Sequence, residues 1–146
     1  MNDLKNLYQE VILDHSKHPR HFHALDPCDH SATGYNPLCG DNLKIFVRMN
    51  GDTITDVSFV GDGCAISKAS ASLMTDLARG KTIAEFSQLY NDFHHIATTQ
   101  DPIPDSVGKL KVLAGVREYP SRVKCATLAW HTLDAALHGK NAAKTE

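Results

Sequence analysis

The stretch that decides the fold covers residues 43–60 and reads LKIFVRMNGDTITDVSFV. Its first part mixes β-branched and aromatic residues in partial alternation, which is typical of a strand. Asn50-Gly51-Asp52 then predicts a hairpin turn. After the turn the alternation is cleaner, but it slips by one residue between Ile54 and Val57, which indicates a β-bulge. The stretch therefore predicts two antiparallel strands at the centre of a sheet.

Helical patterns lie on both sides of this hairpin. One helix is expected to end before Gly80, and the next begins at Thr82, whose side chain forms a capping box with Glu85. The last helix ends at Gly139. The fold class is therefore α+β, a small antiparallel β-sheet with helices packed on it. The expected helices cover residues 3–16, 64–79, 82–95, a short segment around 110–113, and 121–137, and residues 31–36 are a candidate third strand.

Composition excludes several functional classes. The chain has 146 residues, a net charge of −2, 42% apolar residues and 22% charged residues. Such a balanced surface argues against nucleic-acid binding, which needs a basic footprint. No apolar run reaches the ~18 residues of a membrane span, and the N-terminus lacks the apolar core of a secretory signal. We therefore expect a cytoplasmic protein with no nucleic-acid or membrane partner, whose four cysteines are thiols or metal ligands.

Three cysteines stand in unusual local contexts. Cys39 is followed by Gly40 and Asp41, Cys64 opens a predicted helix after Gly61-Asp62-Gly63, and Cys125 falls in the first turns of the last helix. Helix N-termini favour thiolates, so a lowered pKa is expected for Cys64 and Cys125. Three thiolates and a carboxylate can form a closed zinc site or a site that holds iron and sulfur.

A structural interpretation competes with each candidate residue. The three cysteines can be small buried apolar side chains, and their separation matches no zinc-finger spacing. Asp41 can be a turn residue. Arg122, one helical turn before Cys125, can be a solvated arginine, or it can stabilise a thiolate. Cys28 is flanked by Asp26 and Asp29, whose negative charges disfavour a thiolate, and we expect it not to be a ligand. We expect the clustered histidines at positions 15, 18, 21 and 23 to have no metal role.

The three cysteine contexts, together with LYQEVILDH at residues 7–15, resemble the U-type iron–sulfur assembly family, which comprises the IscU scaffolds and the SufU proteins. That family has an α+β fold (SufE/IscU-like). The resemblance implies that Cys39, Asp41, Cys64 and Cys125 form the metal site.

Two departures point to the SufU branch of this family. Lys124 stands where IscU proteins usually have histidine before the last cysteine. Residues 118–122 read EYPSR where IscU proteins carry the Leu-Pro-Pro-Val-Lys segment that a chaperone grips. The stretch between Cys64 and Cys125 is also longer than in IscU proteins. The resemblance further implies one U-type domain over residues 1–139. Residues 140–146 follow the last helix at the chain terminus, and we expect them to form a disordered tail.

The SufU resemblance implies a zinc-dependent sulfurtransferase. Zn²⁺ would be the cofactor, and the partner would be a SufS-like cysteine desulfurase. Cys39 would accept sulfur from the persulfide of this enzyme, and Arg122 would stabilise the Cys39 thiolate. The alternative is a scaffold that assembles a transient iron–sulfur cluster and transfers it to apo-proteins, with cluster-receiving assembly proteins as further partners. A purely structural zinc site is a third option.

Overall fold

The structure, a computed structural model, describes residues 2–144. Four strands form one sheet in the order β3–β2–β1–β4, with the helices packed on it, so the predicted fold class is confirmed. Among the described residues, no helix has both the length and the hydropathy needed to cross a membrane. In chain order the elements are α1 (Asn2–Lys17), β1 (His30–Asn36), β2 (Asp41–Asn50), β3 (Thr53–Asp62), α2 (Ala65–Ala78), α3 (Ile83–Thr98), a 3₁₀ helix (Asp105–Glu118), α4 (Pro120–Leu137) and β4 (Ala142–Lys144).

The central hairpin forms as predicted. β2 and β3 pair antiparallel around a tight turn in which Gly51 has φ +63°, a conformation that favours glycine. The register shifts where Met49 pairs with Ile54 and Arg48 pairs with Asp56, so Thr55 is the extra residue of a bulge. Because of this bulge, the apolar residues on both sides of Thr55 face the same core.

β1 brings the first cysteine loop to the end of the sheet. It pairs antiparallel with β2 from His30↔Val47 to Asn36↔Asp41, which confirms the candidate third strand. A four-residue connection, residues 37–40, joins the two strands and places Cys39 near its tip. Asn36 and Asp41 therefore face each other across the base of this loop.

The C-terminal segment differs from the expected disordered tail. Residues 142–144 form β4, which pairs parallel with β1 from Thr33↔Ala142 to Tyr35↔Lys144. Gly139, with φ +76°, ends α4 and lets the chain reverse toward the free edge of β1. Unpaired backbone groups at a sheet edge accept a strand of almost any composition. The expectation is thus wrong for residues 142–144, and residues 145–146 lie outside the described part.

The helices enclose a core centred on Trp130. This side chain is fully buried and stacks on Phe93 with ring centroids 4.5 Å apart. Its indole N–H donates to Ser70 Oγ at 3.0 Å, and Ser70 donates to the Ala126 carbonyl at 2.6 Å. These bonds satisfy the buried polar atoms that link α2 to α4. The position of Cys125 beside Ala126 is thereby fixed by the core.

The region before α4 is more helical than expected. The sequence predicts a short helix around residues 110–113, whereas the 3₁₀ helix runs over Asp105–Glu118 with a break at Gly108. A Cβ on Gly115 would lie 2.4 Å from the ring of Tyr8. Gly115 therefore permits α1 to pack closely against this segment. A glycine inside a helix weakens the sequence signal for that helix, so the sequence indicated only a short one.

His15 is held neutral inside the fold. It is 7% exposed, and its Nδ1 lies 2.7 Å from Ser72 Oγ, which already accepts the Arg20 N–H at 2.8 Å. The Ser72 hydroxyl is therefore a hydrogen-bond partner of both the His15 ring and the Arg20 backbone. Burial, and secondarily the charge of Arg20, lowers the pKa of His15.

We expect acidification to destabilise the protein through His15. Once the pH falls below about 6.5, the unfolded chain binds a proton at this histidine that the folded chain does not, so the free energy of unfolding decreases. The loss continues until the pH passes the lowered pKa of the folded state. In urea denaturation between about pH 7 and pH 5, His15→Gln should show a shallower decrease than the parent protein. Equal slopes would contradict this assignment.

Candidate metal centre

Three ligand atoms converge at one end of the sheet. Cys39 comes from the β1–β2 connection, Asp41 from the first residue of β2, and Cys125 from the second turn of α4. One ligand atom from each, the two sulfurs and a carboxylate oxygen, all lie within 4.8 Å of one another. The Cys39 and Cys125 sulfurs are 3.1 Å apart. The sheet end and the helix start are thus held together in a group with the size of a metal site.

Asp41 is the most constrained member of the group. Its side chain is fully buried, Oδ1 accepts the backbone N–H of Cys64 at 2.9 Å, and Oδ2 accepts Nδ2–H of Asn36 at 3.1 Å. A Cβ on Gly63 would lie 2.8 Å from Oδ1, so glycine at that position permits the close approach of the β3–α2 turn. The carboxylate is therefore fixed from two sides.

Cys64 stands beside this group with its sulfur directed elsewhere. It is the N-cap of α2, and its Sγ accepts the Ser67 N–H at 3.4 Å. Within the described residues, the Cys64 sulfur is not part of the group of close ligand atoms. Its backbone nevertheless binds Asp41, which places the thiol next to the site. The role of Cys64 as a fourth ligand stays a prediction and requires its side chain to leave the helix cap.

The protonation of Cys125 differs from the expectation based on its helix. Burial raises the pKa of the Cys125 thiol, and its hydrogen bonds with Cys39 and Asp41 add to this effect. The thiol is fully buried and donates to Cys39 Sγ. Desolvation by the surrounding core outweighs the stabilisation of an anion near a helix N-terminus. The expected lowering of this pKa is therefore wrong, and Cys125 remains a thiol until a cation displaces its proton.

Arg122 lies over the sulfur atoms from the first turn of α4. Its Nη1 donates to Cys39 Sγ at 3.8 Å. The pKa of Arg122 is raised, chiefly by a hydrogen bond with Cys125 and also by the charges of Cys64, Cys125 and Cys39. The guanidinium thus supplies a permanent positive charge beside the exposed thiol, and the role of Arg122 at the site stays a prediction.

An apolar groove of about 350 Å³ opens beside Arg122. Tyr8 and Ile12 of α1, Ile66 of α2 and Tyr119 line it. The Tyr8 hydroxyl is buried and has no hydrogen-bond partner among the described residues. Burial, together with the charges of Tyr119 and Cys64, raises the pKa of Tyr8 to about 12. The phenol is therefore neutral at physiological pH, and Tyr8 lines the groove together with Arg122.

Cys28 lies far from the group. It precedes β1, whose opposite end carries Asn36, and a seven-residue strand spans roughly 20 Å. We expect Cys28→Ser to leave the bound metal and the sulfur-acceptor activity unchanged. Metal content measured by atomic absorption checks this, and a loss of metal would show that Cys28 is a ligand.

Two of the clustered histidines have structural partners. His15 binds Ser72, and His21 Nε2 lies 2.9 Å from Asp76 Oδ1. These contacts give the two side chains structural partners, and the absence of a metal role for the cluster stays a prediction. The group of close ligand atoms found among the described residues contains no histidine.

Asn36 also belongs to the site, although the sequence analysis did not single it out. Its side chain is fully buried, and its amide contacts both Asp41 and Cys125. A usable signal was present, because a strand over residues 31–36 followed by a short connection to β2 places Asn36 opposite Asp41.

The donor set fits zinc. Soft sulfur donors and one harder oxygen match the ligands that Zn²⁺ accepts in tetrahedral sites. Cys39, Asp41 and Cys125 supply three of these donors, and Cys64 is adjacent. Three thiolates and a carboxylate carry more negative charge than one Zn²⁺ ion neutralises. The positive charge of Arg122 offsets part of this excess.

Comparisons with known proteins identify the family of the chain and several named relatives. The chain matches the family model described as NifU-like N-terminal domain over residues 7–144. It is 40% identical over 138 residues to a Streptococcus pyogenes serotype M1 protein named iron–sulfur cluster assembly scaffold protein IscU, with 94% of this chain and 86% of that protein covered. It is 38% identical over 136 residues to the zinc-dependent sulfurtransferase SufU of Bacillus subtilis (strain 168), with 90% of each covered.

A solved structure shares the fold. The crystal structure of a scaffold-protein candidate for the SUF system (FiSufU) of Fervidobacterium islandicum AW-1 matches with a TM-score of 0.82 and 33% identity. The match covers 90% of this chain and 96% of that one. The similar proteins thus carry both scaffold and sulfurtransferase names.

Proposed function

Because the chain belongs to the family of NifU-like N-terminal domains, we propose that it works in iron–sulfur cluster assembly as a SufU-type, zinc-dependent acceptor of sulfur from a cysteine desulfurase. The observation that best supports the proposal is that Cys39, Cys64 and Cys125 differ in their exposure to solvent. Cys39 is exposed, Cys64 is intermediate and Cys125 is buried. Of these three thiols, Cys39 is therefore the most accessible to another protein and Cys125 the least.

The transfer itself is a sulfur exchange at Cys39. The Cys39 thiolate attacks the outer sulfur of the persulfide on the desulfurase, and a new S–S bond forms at Cys39. The S–S bond of the desulfurase breaks, and its cysteine leaves as a thiolate. The step needs no external oxidant or reductant. Arg122, at 3.8 Å from Cys39 Sγ, stabilises the attacking thiolate and then the terminal sulfur of the new persulfide.

Cys39, Asp41, Cys64 and Cys125 would hold the zinc ion. When bound, the ion supplies a positive charge that keeps the thiols deprotonated and unoxidised at neutral pH. Asp41 is the donor of a different kind, because a carboxylate is harder than a thiolate. A cytoplasmic location, where cysteines stay reduced, remains a prediction.

The scaffold function is the second candidate. The 40% identical Streptococcus pyogenes relative is named as a scaffold, and the same thiols can hold a cluster as cargo. Cluster-receiving assembly proteins would then be the partners. The departures at Lys124 and at residues 118–122 support the sulfur-acceptor function over this one.

Alanine production separates the two candidates. The zinc-loaded protein is added to a SufS-like desulfurase with cysteine as substrate, and alanine is measured without any external reductant. A sulfur acceptor should stimulate alanine release strongly. Lack of stimulation, together with anaerobic build-up and transfer of a cluster, would support the scaffold function instead.

A further inference from the structure

We propose that Asn36 is a positioning residue that orients the Asp41 carboxylate toward the two sulfurs of the candidate metal centre. The inference rests on the proposed function, because it concerns metal binding by this group. Asn36 is the last residue of β1 and is fully buried. A buried amide is stable there only when its donors and acceptor find partners.

The hydrogen bonds of the Asn36 amide use both of its N–H donors at the site. Its Nδ2 donates to Asp41 Oδ2 at 3.1 Å and to Cys125 Sγ at 3.5 Å. These two contacts match the two N–H donors of a carboxamide. Its Oδ1 accepts the Leu38 N–H at 3.3 Å. One side chain therefore touches the oxygen donor, a sulfur donor and the loop that carries Cys39.

The consequence for Asp41 follows from the geometry of its carboxylate. The Cys64 N–H holds Oδ1 from one side and the Asn36 amide holds Oδ2 from the other. With either bond alone, the carboxylate can rotate about its Cβ–Cγ bond. Both bonds together fix its plane, so a cation meets a preorganised oxygen. Hydrogen bonds of this kind to a ligand typically raise metal affinity by about 10–100-fold.

A useful variant removes the hydrogen bond from Asn36 to Asp41 but keeps the hydrogen bond from the Leu38 N–H to residue 36. Serine can still accept the Leu38 N–H, because Ser and Asn side chains cap turns in similar ways, but it is too short to reach Asp41 or Cys125. Asn36→Ser therefore removes donation to the ligands while it keeps the loop contact. Asn36→Thr is a second variant with the same chemistry and a β-branched side chain that suits a strand end.

Thr132→Val is a matched control for stability. Thr132 is fully buried, donates to the Leu128 carbonyl at 2.7 Å and lies against Gly34 of the same strand as Asn36. This variant removes one buried hydrogen bond within α4, beside its contact with β1, but changes no candidate ligand.

The test measures zinc affinity by competition with a chromophoric chelator in four proteins: the parent, Asn36→Ser, Asp41→Ala and the double variant. If Asn36 acts through Asp41, Asn36→Ser weakens zinc binding about 10-fold or more in the parent background. In the Asp41→Ala background the same change should have an effect within about twofold. Thr132→Val should keep the parent's affinity.

Three outcomes decide the matter. An unchanged affinity in Asn36→Ser, or an equal loss in both backgrounds, would overturn the positioning role, because a purely structural defect does not depend on Asp41. If Asn36→Ser does not fold, Asn36→Thr is measured in the same cycle with the same criteria. A parent protein that binds no zinc would instead contradict the proposed function.

Discussion

The Cys39→Ala variant is expected to accept no sulfur, so that alanine production by the desulfurase falls to the rate without any acceptor. Cys39 is the exposed thiol of the group, and the buried Cys125 sulfur cannot reach a persulfide on another protein without opening the core around α4. Thiol exchange requires a thiolate with access to its target. The effect should therefore be a complete loss of stimulation.

The fold of Cys39→Ala should survive. Cys39 lies in the connection between β1 and β2, where a methyl group leaves the backbone unchanged and fills no core space. The Cys125 thiol loses its acceptor at 3.1 Å, a contact that contributes little to stability because sulfur hydrogen bonds are weak. Cys28→Ser is the matched control, since it removes a thiol far from the site. Stimulation that persists in Cys39→Ala would assign the acceptor role to another residue.

The second large effect is expected from Asp41→Ala. Zinc affinity should fall at least about tenfold, because the change removes a donor that two hydrogen bonds hold in place. The free energy of unfolding of the metal-free protein has two opposing contributions. The Cys64 N–H and the Asn36 amide are left without their acceptor, which costs about 1–3 kcal/mol for each group that stays buried. Removal of a buried carboxylate relieves a desolvation penalty.

The Asp41→Asn variant tests whether zinc affinity depends on the negative charge of Asp41 or only on the shape of its side chain. Asparagine retains one oxygen acceptor but has no charge, so it should bind zinc more weakly than the parent. Zinc affinity is measured by the chelator competition used for Asn36. Unchanged affinity in Asp41→Ala would remove Asp41 from the metal site, whatever happens to stability.

The fold could be predicted where local signals were strong. The Asn-Gly turn fixes the β2–β3 hairpin, and the slip at Thr55 is visible in the apolar pattern on either side of it. Thr82 and Glu85 form the predicted capping box, with bonds of 3.1 Å and 2.9 Å. By contrast, the three residues of β4 have no strand pattern of their own and pair only because β1 offers a free edge.

The candidate ligands could be named from the sequence, but how their side chains are arranged could be predicted only in part. Glycine next to each of Cys39 and Cys64 is visible in the sequence, and the structure brings Cys39, Asp41 and Cys125 together. The raised pKa of Cys125 could not be predicted from its place in a helix, because it depends on core residues distant in the chain. The rotation of the Cys64 sulfur onto the α2 cap is likewise a choice between two partners that the sequence alone does not decide.

The central claim is that sulfur arrives on Cys39. The most direct measurement is peptide mass spectrometry of the zinc-loaded protein after incubation with a cysteine desulfurase and cysteine, followed by alkylation without reduction. We expect one added sulfur atom on the peptide that contains Cys39, and none on the peptides that contain Cys28 or Cys125. Sulfur on Cys64 or Cys125, or an absence of added sulfur in a protein that assembles a cluster, would contradict it.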